Sequence, residues 1–330
     1  MWQRVPAGWR RAGQITLALA LLALLWRVAG NKDVLRSLIS ASPGWLAAAV
    51  ALLTLQTVLS AIRWKITAAR LGIHLGTGEA LREYYLAQAV NVSVPGGVVG
   101  DVARAVRSCG AAGMLAASQA VLLERLAGQA GLFVVTAATF ALTLAWPGGV
   151  DWPAWLIAPV GIFVASGLCL PVIACAALRI RGRMGQALSG FWRAIMQSLL
   201  ARSVIVPQIA ISLATTLCNL AAFAFCAIAV GHGLSPVAIA AFGPLILLMM
   251  LVPVTISGWG LREGAAVVLF PLAGSTASGG LAASVAFGLM LIAASLPGSL
   301  ALLAAPRRGL TPGPDRANGH DKMATIRKDG

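Results

Sequence analysis

The chain has 330 residues, of which 59% are hydrophobic and 11% charged, with a mean hydropathy of +0.86. No soluble domain needs that much apolar surface, so the composition points to an all-α polytopic membrane protein. The excess of 25 Lys and Arg over 10 Asp and Glu does not imply nucleic acid, because the basic residues cluster beside apolar runs in the positive-inside pattern. The partner implied is anionic lipid headgroup, at about 1 kcal/mol per basic residue near the surface.

Residues 1–12 form a basic segment whose Arg4, Arg10 and Arg11 place the N-terminus in the cytoplasm. The apolar run Ile15–Ala29, ending in Val28-Ala29-Gly30, has the outline of a signal peptide. Arg27 interrupts its end and the remaining chain is membrane-embedded, which favours an uncleaved first span over residues 13–30. A weakly charged loop, Asn31 to Gly44, leads to a second span (45–69) ending in Arg63, Lys65 and Arg70. Arg63 and Lys65 read as topology anchors at the cytoplasmic interface.

Residues 79–108 are apolar but broken at Asn91-Val-Ser-Val-Pro95-Gly96-Gly97-Val-Val-Gly100-Asp101-Val-Ala-Arg104. With Arg82, Arg104 and Arg107 at both ends, this segment reads as a re-entrant hairpin entered from the cytoplasm. A third span (118–145) carries Glu124-Arg125 near its start and exits into Trp146–Pro153; a fourth (154–178) returns to a basic stretch from Arg179 to Arg202. A fifth (203–230) leads out to a second break, Val252-Pro253-Val-Thr-Ile-Ser257-Gly258-Trp259-Gly260-Leu-Arg262-Glu263-Gly264. A last span (281–304) reaches Arg307-Arg308 and a polar tail, 305–330, expected to be cytoplasmic and disordered.

This gives two membrane repeats, 13–145 and 146–304, with about six full transmembrane helices and two broken segments in an inverted repeat. Crossing of each broken segment as two helices, for about eight spans, keeps the same repeat logic. A matched pair of Pro/Gly breaks in two halves is the best sequence pointer to a transport site, because broken backbone survives at membrane depth only inside protein or beside a watery cavity.

The breaks carry the candidate chemistry. Asp101 and Arg104, three apart, share a helix face, and Gly96, Gly97 and Gly100 would let a headgroup approach backbone N–H groups at a half-helix start. The bland alternative makes Asp101 an N-cap. Gly258 and Gly260 precede Arg262-Glu263 in the same sense; adjacent helical residues diverge by about 100°, so this pair is expected to serve different partners. Glu124 is either an interfacial residue beside a snorkelling Arg125, or a gating or charge-balancing partner of Arg104 or Arg63. Asp101 or Glu263 could also carry a proton. The tryptophans at 45, 64, 146, 152 and 155 fit an aromatic belt. The cysteines form no CxxC and the histidines no cluster, so no metal site, disulfide framework or cofactor is expected.

The three motifs in order, Asn91-x-x-x-Pro95-Gly-Gly-x-x-Gly100-Asp101-x-x-Arg104, Glu124-Arg125-Leu126 and Pro253-x-x-x-Ser257-Gly258-x-Gly260-x-Arg262-Glu263-Gly264, resemble the lysylphosphatidylglycerol synthase transmembrane, or flippase-like, family. Arg63-Trp64 and Leu296-Pro297-Gly298 fit the same pattern, and the likeness covers residues 12–304. It implies a multi-pass protein of the bacterial cytoplasmic (inner) membrane that handles anionic or polyprenyl-linked lipids. Only a short tail follows the last span, so the aminoacyl transfer of the full synthases is not carried over, and no enzymatic activity is expected. A non-transporting scaffold for a lipid or glycan biosynthesis enzyme is the alternative. An intramembrane lipid-modifying enzyme ranks lower, for want of a nucleophile–base pair.

Overall fold

The computed structural model describes residues 31–94, 97–145, 150–179, 182–252 and 258–304. The first span (13–30), Pro95, Gly96, Pro253, Ser257 and the tail from 305 lie outside the described residues. The described chain is helical: α1 (Asn31–Ile39), α2 (Pro43–Arg70), α3 (Thr77–Ser93), α4 (Val99–Ser108), α5 (Gly113–Ala145), α6 (Ala154–Ala177), α7 (Arg183–Ser198), α8 (Ile205–Ala229), α9 (Pro236–Leu248), α10 (Leu261–Leu272) and α11 (Ala277–Ala304).

Five of these, α2, α5, α6, α8 and α11, are long and apolar enough to cross a bilayer. They match the second to sixth spans read from the sequence. Two helices occupy stretches expected to be loops. In α1, Val34 turns into the core while Asp33 and Arg36 do not. In α7, Gly185, Ala194 and Ser198 pack inward and Arg183 and Arg193 stay exposed. Both are amphipathic, a pattern that the surrounding charge hides when only net polarity is read.

Each broken segment folds back on itself. In the first, the Gly100 N–H donates to Asn91 Oδ1 at 2.8 Å and Arg107 reaches Glu83, so α3 and α4 run antiparallel. In the second, α9 and α10 pack together, with Arg262 beside Met250. Helices of 10, 13 and 12 residues (α4, α9, α10) are well short of the roughly 20 that a crossing needs.

Residues 31–145 and 183–304 run in the same order, with α6 between them: amphipathic helix, long helix, hairpin, long helix. Their contacts correspond as well. Exchanging the halves turns the α3–α11 packing into α9–α5, and α5–α8 into α11–α2. The most extensive contact joins the equivalent helices α2 and α8. They run antiparallel: the Ser42 N–H bonds the Ala229 carbonyl at 2.9 Å near one end, and Gln208 bonds Thr67 at 2.9 Å near the other. Phe223, Phe242, Phe270 and Phe287 fill the core on the side of the second hairpin. Small residues with Trp64 fill it beside the first.

Close helix approach depends on glycine at two points that flank α3. A Cβ on Gly100 would lie 2.1 Å from the Ala87 carbonyl oxygen, and one on Gly298 would lie 2.1 Å from that of Tyr85. Gly100→Ala and Gly298→Ala are each expected to destabilise the detergent-solubilised protein by about 1–3 kcal/mol. Gly44→Ala, where a Cβ meets nothing within 4 Å, should leave it unchanged. Thermal unfolding of the three variants checks this, and equal midpoints would contradict the packing described.

Candidate functional site

The first hairpin closes over a buried charge cluster drawn from five helices. α2 supplies Arg63 and Trp64, α3 Tyr84, α4 Asp101 and Arg104, α5 Glu124 and Arg125, and α8 Ser212 and Thr215. Glu124 is the centre. Its Oε1 accepts from Arg63 Nη2 at 2.8 Å and from the Tyr84 hydroxyl at 3.2 Å; its Oε2 accepts from Arg104 Nη2 at 3.2 Å. Arg104 Nη2 also reaches Asp101 Oδ1 at 3.2 Å, one turn back on α4. Arg63 Nη1 donates to Ser212 and Thr215 at 3.3 and 3.2 Å. One turn beyond Glu124, Gly128 leaves the space the Arg63 guanidinium fills, since a Cβ there would lie 2.8 Å from Nη2.

Glu124 and Arg125 are adjacent and diverge. Glu124 points into the protein, whereas Arg125 remains 39% exposed at its side chain, pairs with Asp101 Oδ2 and donates to the Gly97 carbonyl at 2.9 Å. Arg125 therefore ties the break itself to the first turn of α4. Glu124 is 1% exposed, so the interfacial alternative for it does not hold; the pairing with Arg63 and Arg104 is what the structure contains.

Three arginines meet two carboxylates here, which leaves one positive charge over. Arg104 Nε and Nη1, Arg63 Nε and Trp64 Nε1 are buried and, among the described residues, have no hydrogen-bond acceptor. A buried donor left unsatisfied costs about 1–3 kcal/mol, and more when charged. The cluster thus has both charge and donors to offer an oxyanion. The Arg104 guanidinium lies 4.5 Å from the ring centroids of both Trp64 and Tyr84, a stacking that holds the cation without using its N–H groups.

The second hairpin holds a different arrangement. Arg262 and Glu263, fully buried and expected to serve different partners, bond each other as well as partners of their own. Ser284 on α11 bridges the two: it accepts from Arg262 Nε at 2.8 Å and donates to Glu263 Oε1 at 3.1 Å. Glu263 Oε2 takes the Gly260 N–H at 2.6 Å, and Arg262 Nη1 lies 3.8 Å from the Met250 sulfur. This cluster is neutral, and none of its side-chain polar atoms is left without a partner.

Four sequence expectations need correction. The Gly100 N–H is taken by Asn91 and the Gly260 N–H by Glu263, so neither is offered at a half-helix start. Gly100 serves helix contact, and Gly260 a positive φ of 93°. Asp101 is not the N-cap of α4, which is Val98; Asp101 sits in the first turn and bonds arginines. Arg63 is no interfacial anchor, being 4% exposed, whereas Lys65 does lie at the surface, bonded to Thr77. Trp64 is not part of an aromatic belt, since it is fully buried against Arg104. Trp152 also packs inward, against Phe140 and Phe242. The sequence reading missed Tyr84, Ser212, Thr215 and Ser284. Only Tyr84 had a signal, as one of two tyrosines in the chain.

The family model for the lysylphosphatidylglycerol synthase TM region matches residues 12–298. Neither a curated protein nor a solved structure matches the chain.

Removing the shared carboxylate tests the cluster. Glu124→Gln leaves two buried guanidinium groups facing each other and should destabilise the protein by about 3–5 kcal/mol. Glu83→Gln, whose partner Arg107 is 40% exposed, should cost about 1 kcal/mol or less. Chemical denaturation in detergent measures both, and similar losses would contradict the central role of Glu124.

Proposed function

The chain belongs to the lysylphosphatidylglycerol synthase TM region family and is a multi-pass membrane protein, and we propose that it binds the anionic headgroup of a membrane lipid at the Arg63–Arg104–Glu124 cluster and moves that lipid across the bilayer. The observation that carries this is the unbalanced positive charge with its unpartnered buried donors. Membrane-embedded charge is expensive, and buried arginine donors left without an acceptor, beside the half-exposed surplus charge of Arg125, point to an ionic cargo. A saturated, neutral cluster would be enough to hold the hairpin shut, as in the second half.

In this reading the halves are inverted. The antiparallel run of α2 and α8 supports that, since they occupy equivalent places in the two halves. Arg70, Arg179, Arg183, Arg193 and Arg202 mark the cytoplasmic side, which gives cytoplasmic termini in a cytoplasmic membrane. The first hairpin then enters from the cytoplasm and the second from outside, both re-entrant. The headgroup occupies the first hairpin's cluster while its tails stay in lipid. Glu124 holds Arg63 and Arg104 between loads, and the incoming anion takes over one of them. Gly97 and Asp101 are tied by Arg125, so that arginine gates the break. Arg262 and Glu263 fix the second hairpin against α11 as it rocks. Energy comes from an ion gradient, a partner or downhill flow. The chain acts as a carrier and not as a catalyst, and a lipid-biosynthesis enzyme is a fitting neighbour.

Lipid flux into proteoliposomes tests the carrier. Arg104→Ala should lower flux at least about tenfold at preserved folding, the equivalent of one charge-assisted hydrogen bond. Unchanged flux would refute the assignment. Orientation has its own check. A cysteine at Ser275 and the native Cys109 should label with an impermeant maleimide from opposite sides of the membrane, and labelling from one side would refute the inversion.

A further inference from the structure

We infer that Trp64, Tyr84 and Arg104 together form a recognition element for one singly charged oxyanion, with Arg104 as its anchor and the Trp64 indole N–H as a specificity-determining donor. The lipid reading above supplies the source of that anion; the recognition chemistry rests on the cluster alone.

The division of labour on Arg104 carries the argument. One of its terminal nitrogens is spent on Asp101 and Glu124, at 3.2 Å each. Both ring systems lie 4.5 Å from its central carbon and fix it through its π face. Its Nε and Nη1 N–H groups are left with no acceptor among the described residues, on a side chain 1% exposed. Trp64 repeats the pattern: its indole can only donate, it is fully buried, and its Nε1 has no acceptor among the described residues. Tyr84 spends its hydroxyl on Glu124, so its part is to hold the guanidinium and not to bind the ligand directly. The oxygens of a bound oxyanion would supply acceptors to these donors.

The charge balance sets which ligand. The single surplus positive charge of the cluster matches one negative charge. A second negative charge would meet Asp101 and Glu124 with no further cation to offset it. A zwitterionic headgroup would bring a cation toward three arginines. A phosphodiester, with one ionised oxygen, fits; a phosphomonoester or a diphosphate does not. Lysine cannot stand in for Arg104, because a compact ammonium does not stack on two rings while presenting N–H groups along a plane.

The test is native mass spectrometry of the full-length protein titrated with phosphatidylglycerol (one charge), phosphatidic acid, phosphatidylcholine or inorganic phosphate. Wild type is compared with Trp64→Phe, Arg104→Lys and, as a control at an exposed tryptophan, Trp155→Phe. The inference expects phosphatidylglycerol to be retained about tenfold over the other two lipids, with that preference lost in Trp64→Phe and Arg104→Lys and kept in Trp155→Phe. Trp64→Phe keeps a ring against Arg104, so it separates loss of the donor from loss of packing, and an unshifted unfolding midpoint verifies this. Equal retention of the three lipids, or an unchanged preference in Trp64→Phe, overturns the inference while the carrier reading stands on its flux. If only inorganic phosphate binds, and does so through Trp64 and Arg104, oxyanion recognition holds and the lipid reading falls. If nothing binds, both fall.

Discussion

A carboxylate shared by two arginines, deep in an apolar helical bundle, is the constraint on which the first half of this protein is organised. Charge is tolerated there only when it is paired and bonded, and Glu124 meets that demand for Arg63 on α2 and Arg104 on α4 at once. Because those helices belong to different elements, the carboxylate fixes where the first hairpin sits against the long helices. Gly100, Gly128 and Gly298 remove the side chains that would hold the backbones or the guanidinium apart. The hairpin is thereby held by two unlike means: close glycine contact along α3 and ion pairing at its second arm.

The second hairpin solves the same backbone problem with no charge left over. Its acid occupies the third position of α10, as Asp101 does in α4, but Glu263 turns back to the Gly260 N–H and across to Arg262 and Ser284. Where the first half places Glu124 on its following long helix, the second places the neutral Ser284. The second cluster is neutral because it pairs one arginine with one acid, against three arginines and two acids in the first. The two hairpins therefore carry different electrostatics, and among the described residues the buried side-chain donors without an acceptor lie in the first cluster.

Both hairpins set aromatic rings over an arginine. Around the second, phenylalanines pack on one another, and Phe287 and Trp259 lie over Arg262 at 5.3 and 5.5 Å. Beside the first, Trp64 and Tyr84 lie closer over Arg104, at 4.5 Å each. Ring stacking leaves the edges of a guanidinium available. Arg262 spends those edges on Ser284, Glu263 and Met250, whereas Arg104 keeps Nε and Nη1 without an acceptor among the described residues.

Much of the architecture was legible in the residues. The apolar spans and both breaks follow from composition and from where Pro, Gly and charge interrupt it, since a bilayer enforces length and polarity directly. The i, i+3 spacing of Asp101 and Arg104 foretold their contact, because helical geometry is local. What the sequence could not decide was which charges find each other across helices. Arg63 and Glu124, 61 positions apart, meet only because α2 and α5 pack side by side. Trp64 looked like a belt residue until burial placed it against Arg104, and Arg262 and Glu263 looked divergent until Ser284, supplied by α11, drew them together. Local pattern determined the elements and where they break; partner choice among buried charges was decided by tertiary packing, because in a low-dielectric interior each charge must take whatever counterpart the fold brings within reach.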